Sequence, residues 1–97
     1  MSIFLTAAGA LAYGRIMTPG EELAAVVEGR EHWRLEGVVA VYAPPDATAT
    51  VRVQPIAATT HRERFRAVIV RAGRAEHSRP AGSAVEAVRW AERIQLG

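Results

Sequence analysis

Arginine is the residue type whose spacing in this chain could do chemistry. Residues 61–79, HRERFRAVIVRAGRAEHSR, hold six arginines, two histidines and two glutamates, a net charge of +4. In an extended strand alternate side chains share a face, so Arg62, Arg64 and Arg66 are expected to line one face at a spacing of about 6–7 Å. Arg71 and Arg74 flank the turn expected at Gly73, and Arg79 closes the segment. A guanidinium offers a planar fork of donors that fits carboxylate and phosphate alike. The chemistry expected is therefore anion recognition. An acidic protein surface is the expected partner, and nucleic acid bound through its phosphates is the alternative. Charge along a sheet edge also blocks unwanted strand pairing, a purely structural use of the same residues.

Other chemistries find little material. The three histidines, His32, His61 and His77, show no zinc-binding spacing, and no metal site is expected even where His61 and His77 could approach Glu76. None of Ser2, Ser78 and Ser83 sits in a nucleophile-elbow motif. Asp46, the only aspartate, falls in a turn signal after two prolines. There is no phosphate-cradling glycine loop. No catalytic residues and no cofactor are expected, and the chain is expected not to be an enzyme. Cysteine is absent, which excludes disulfides and thiolate ligands and is compatible with a reducing cytoplasm, the expected location.

Composition agrees with a globular domain. The chain of 97 residues is 49% apolar, one domain's worth of sequence spanning 1–97. All twelve basic residues are arginine, which fits a GC-rich coding bias. Residues 1–48 carry three arginines against six acids, and residues 49–97 carry nine against four. That sign change suggests one acidic and one basic face, or pairing between the halves within the fold.

The elements that must hold these arginines follow from periodicity. Residues 2–17 are apolar up to Arg15. They are too short to span a membrane and lack the basic start of a signal peptide. They are expected to form a core helix, or two short strands, with docking on a partner or on a second copy of the chain as the alternative. In TPGEELAAVVEG, Thr18 is an N-cap, Pro19 suits the first helical position and Glu21 completes a capping box. Leu23, Val26 and Val27 share one side of that helix. Residues 33–42 are rich in valine and are expected to form one strand, with Trp33, Leu35, Val39 and Val41 on one face and Val38, Ala40 and Tyr42 on the other. TATVRVQP alternates, with Ala49, Val51 and Val53 inward and Thr50, Arg52 and Gln54 outward. Pro55 cannot donate to a ladder, so regular pairing is expected to stop there. RFRAVIVRA forms the next strand, with Phe65, Ala67 and Ile69 toward the core, and AEHSR a short last one. In SAVEAVRWAERI, Ser83 and Glu86 form a second capping box, and Ala84, Ala87, Val88, Ala91 and Ile94 form an apolar stripe flanked by Trp90.

Residues 48–96 resemble a double-stranded-RNA-binding domain, which runs helix, three antiparallel strands, helix. His61 and Phe65 match that family's spacing in its second strand, and Ser83, Ala87 and Ala91 match its last helix. The family's phosphate-contacting lysine run is replaced by Ala84 and Val85, and its Gly-Pro before the histidine by Thr59 and Thr60. The resemblance implies the strand-strand-strand-helix topology, which small regulatory and phage-encoded proteins that act by protein contact also use.

The expected fold is α+β: an antiparallel sheet of three to four strands packed against a C-terminal helix, with one or two N-terminal helices. The expected function is that of a small binding or regulatory protein, inhibitor- or antitoxin-like, using its arginines against an acidic partner.

Overall fold

The computed structural model describes residues 17–57, 63–94 and 96. Arg62, His61 and the apolar segment 2–16 lie outside the described residues. Within them, helix α1 (Pro19–Val27) precedes strands β1 (Trp33–Glu36), β2 (Val39–Tyr42), β3 (Ala49–Pro55), β4 (Phe65–Arg71) and β5 (Arg74–Ala81), and helix α2 (Ala84–Arg93) follows. The strands form one antiparallel sheet in the order β1-β2-β3-β4-β5. The α+β class holds, but the sheet has five strands rather than three or four.

The extra strand comes from residues 33–42, which form a hairpin instead of a single strand. Gly37 has φ +65°, a conformation closed to most side chains, and it allows a turn of only two residues, Gly37 and Val38, between β1 and β2. The reversal also rearranges the faces. Trp33 pairs with Tyr42 and Leu35 with Ala40, so these four share the helix side, while Val39 and Val41 point to the other. The Trp33 and Tyr42 rings lie 5.0 Å apart as a cross-strand aromatic pair. A second tight turn joins β4 to β5 through Ala72 and Gly73, with φ 52° and 77°. Strand β5 runs eight residues, longer than the short strand expected.

Both helices cover the same face of the sheet. Leu23 and Val27 from α1 and Ala84, Ala87, Val88 and Ala91 from α2 join Val51, Val53, Phe65 and Ala67 in one buried cluster. Phe65 is fully buried, worth about 1.5–3 kcal/mol in removal from water. The alanine stripe of α2 brings that helix backbone close to the sheet. Both N-cap hydroxyls accept as their sequences require. The backbone N–H of Glu21 donates to Thr18 Oγ1 at 3.2 Å, and Thr18 N–H donates to Glu21 Oε1 at 2.9 Å. At α2, Glu86 N–H donates to Ser83 Oγ at 3.1 Å. The Glu86 carboxylate, however, accepts from the N–H of Gly82, one residue before the cap, so the second capping box is displaced by a residue.

Two carboxylates pin the helices to their surroundings. Glu22 of α1 accepts from Arg64 Nη2 at 2.9 Å and from the N–H of Ala84, the first residue of α2, at 3.0 Å. Glu92 of α2 accepts from Arg30 Nη2 at 2.7 Å and Arg30 Nε at 3.0 Å, just beyond α1, and from Trp33 Nε1 of β1 at 2.9 Å. No helix among the described residues is long and apolar enough to cross a membrane.

Candidate interaction surface

Four charged side chains, Arg34, Glu36, Arg52 and Arg66, lie on the sheet face turned away from the two helices, a face open among the described elements. Strand register places Arg34, Val41, Arg52, Val68 and Ser78 in one row across all five strands. Gln54, Arg66 and Pro80 form the next row on β3, β4 and β5, and Thr50 and Val70 pair in another. Arg52 and Arg66 are diagonal neighbours on β3 and β4, a separation of about 7–8 Å in an antiparallel pair.

Glu36 organises the β1 side of this face. Arg34 Nε donates to its Oε2 at 3.0 Å, and Arg52 Nη1 donates to its Oε1 at 3.2 Å. The hydrogen bond from Arg34 holds the Glu36 carboxyl below the usual carboxylate range; desolvation pushes upward less strongly, and the hydrogen bond from Arg52 adds a smaller downward pull. Val41 stands between Arg34 and Arg52 in the row and is only 1% exposed, although it lies outside the helix-side core. Its two neighbours in the row are the arginines whose guanidiniums both donate to Glu36. The face is thus a valine-lined strip, Val39, Val41, Val68 and Val70, crossed by guanidiniums.

The arginines singled out from the sequence do not form one patch. Arg62 lies outside the described residues. Arg64 precedes β4 and points to the helices: it pairs with Glu22, donates to the Gly82 carbonyl at 3.4 Å and lies 5.4 Å from the centroid of the Phe65 ring. Arg66 is on the open face and donates to Ser78 Oγ at 3.2 Å. Arg71 and Arg74 face each other at the end of the β4–β5 hairpin. There Arg71 donates to Glu76 at 2.7 Å and also reaches the Thr48 hydroxyl. Arg79 is on the helix side of β5, 6.0 Å from the Trp90 ring, with His77 against the same ring at 6.1 Å.

The residues that sequence reasoning passed over are Arg34 and Arg52. The alternation of β3 already put Arg52 outward with Thr50 and Gln54. Its relation to Arg34 and Arg66 arises only from strand order, which brings β1 and β4 to either side of the β2–β3 pair. No group of three or more metal-ligating side chains occurs among the described residues.

No protein-family model matches this chain, and the searches of curated proteins and of solved structures find nothing similar to it.

Proposed function

We propose that this chain is a small non-enzymatic binding protein that acts by protein–protein contact, presenting its open sheet face to an acidic partner. The observation that carries this reading is the convergence of Arg34, Arg52 and Arg66 on one face whose only acid among the described strand positions is Glu36. The half-buried Val39, Val68 and Val70 share that face, so a partner surface can gain some apolar burial and charge-assisted hydrogen bonds together. Arg66 remains from the linear ladder, joined by two arginines from other strands. Arg64 serves the fold through Glu22, and Arg71, Arg74 and Arg79 form a separate flank along the β4–β5 hairpin. A nucleic-acid role for the same arginines has less support, because no aromatic side chain lies on the open face among the described residues to stack a base.

The test is a salt titration of binding to four probes: a polyglutamate peptide, duplex RNA, duplex DNA and single-stranded DNA. The expected result is binding to the peptide that is lost in the double variant Arg52→Glu, Arg66→Glu. Tighter binding to any of the nucleic acids, or no binding to any probe at low salt, overturns the proposal.

A further inference from the structure

The two edges of the sheet differ in a way that points to a second copy of this chain. Strand β5 is guarded. Arg74, Glu76 and Arg79 lie along it, and Pro80 near its end has no N–H to offer. Strand β1 carries no proline, its two charged side chains are of opposite sign, Arg34 and Glu36, and among the described residues nothing pairs with its outer side. Ala43 N–H donates to the His32 carbonyl at 2.8 Å, so His32, Arg34 and Glu36 turn their backbone groups toward β2. The N–H and C=O of Trp33 and Leu35 therefore face outward. Leu35 is 47% exposed, and with Val27 and Trp33 it lines an open groove of about 440 Å³ between β1 and α1 to which Glu28, Arg30 and Arg34 also contribute.

We infer that β1 pairs antiparallel with β1 of a second copy, about a two-fold axis through Leu35, to make one continuous ten-stranded sheet. Such an axis preserves the faces of both sheets, so only registers that pair residues of the same parity are allowed. Centring on Leu35 sets Leu35 against its own mate on the helix side, where each exchanges backbone hydrogen bonds with the other. It also sets Arg34 of each copy opposite Glu36 of its mate on the open side, twice by symmetry. These are non-hydrogen-bonded pairs, whose side chains approach most closely. Arg34 already donates to Glu36 along its own strand at 3.0 Å, so the four side chains form a square of alternating charge around the axis. Shifting the axis to Arg34 places like charges on it and leaves Trp33 against Leu35, so the charges themselves select the register. The grooves of both copies, with their exposed Leu35 side chains, then adjoin at the seam. This pairing stands independently of the acidic-partner reading, and it would join two arginine-bearing faces into one surface.

Sedimentation equilibrium over a range of protein concentrations, with folding checked by circular dichroism, tests it. The full chain is expected to dimerise. Arg34→Glu alone, Glu36→Arg alone and Leu35→Lys alone are each expected to weaken self-association about ten-fold or more, since like charges then oppose each other. An equimolar mixture of the Arg34→Glu and Glu36→Arg chains restores two complementary pairs and is expected to form a heterodimer. A wild-type chain that stays monomeric overturns the inference. So does a dimer that survives all three substitutions, or two folded charge variants that fail to combine. Leu35→Lys alters an exposed position, so it gives a readout even if a charge variant fails to fold.

Discussion

Arg64 Nη2 lies 2.9 Å from Glu22 Oε1, joining the entrance of β4 to helix α1. The other oxygen of the same carboxylate accepts from the first N–H of α2. One side chain therefore ties three elements, and an arginine that looked like part of a contact ladder holds the fold together. Glu22→Ala takes the acceptor from two part-buried donors, Arg64 Nη2 and the Ala84 N–H. It is expected to cost about 1–3 kcal/mol, a fall in Tm of about 4–8 °C for each kcal/mol, measurable by thermal denaturation. Arg64→Ala should lower Tm by a similar route, whereas Arg52→Ala on the open face should change stability by no more than about 0.5 kcal/mol.

Glu92 should give the fold part of its acid sensitivity. The hydrogen bond from Arg30 holds its carboxyl below the usual range; desolvation opposes it less strongly, and the hydrogen bond from Trp33 adds a smaller downward pull. A carboxyl whose folded pKa is depressed stabilises the protein fully above its unfolded pKa, about 4.3 for glutamate, and loses that contribution as pH falls through the lower folded value. Urea denaturation of wild type and Glu92→Gln at a series of pH values should show the two curves converging below that window and wild type more stable above it. Parallel curves across the whole range would remove Glu92 from the acid response.

The close approach of α2 to the sheet depends on alanine. Ala87 is 1% exposed and Ala84 and Ala91 are fully buried in the same stripe. Ala87→Leu adds volume where the helix has no room to receive it, and is expected to cost about 1–3 kcal/mol by overpacking. A denaturant midpoint equal to wild type would mean that α2 can lift away from the sheet freely.

Ala72 sits at φ 52° in the β4–β5 turn, where an L side chain other than Asn or Asp is disfavoured. Ala72→Asn and Ala72→Gly are each expected to raise stability, by about 0.5–1 kcal/mol for the asparagine, without altering binding. Chemical denaturation measures it directly, and a loss of stability in both variants would mean that the alanine methyl packs more usefully than the turn geometry suggests.

Local signals carried much of this fold. The Thr18–Glu21 box, the Ser83 cap, the alternation through Val51 and Val53 and the alanine stripe of α2 each depend on residues a few positions apart, so the sequence alone determined the helices, the inward faces of β3 and β4 and the α+β class. What the tertiary structure decided depends on partners far along the chain. Gly37 gives a turn its conformational permission but does not compel one, so one valine-rich run could be a single strand or the β1–β2 hairpin. Packing against α1 and β3 selects the hairpin and with it the fifth strand. The candidate site follows the same rule. Arg34, Arg52 and Arg66 stand 18 and 14 residues apart in sequence and become neighbours only through sheet order, while Arg64, two residues from Arg66, is drawn to the other side by Glu22, 42 residues away. Charge along a chain is local, but the face on which it appears is set by the long-range pairing of strands.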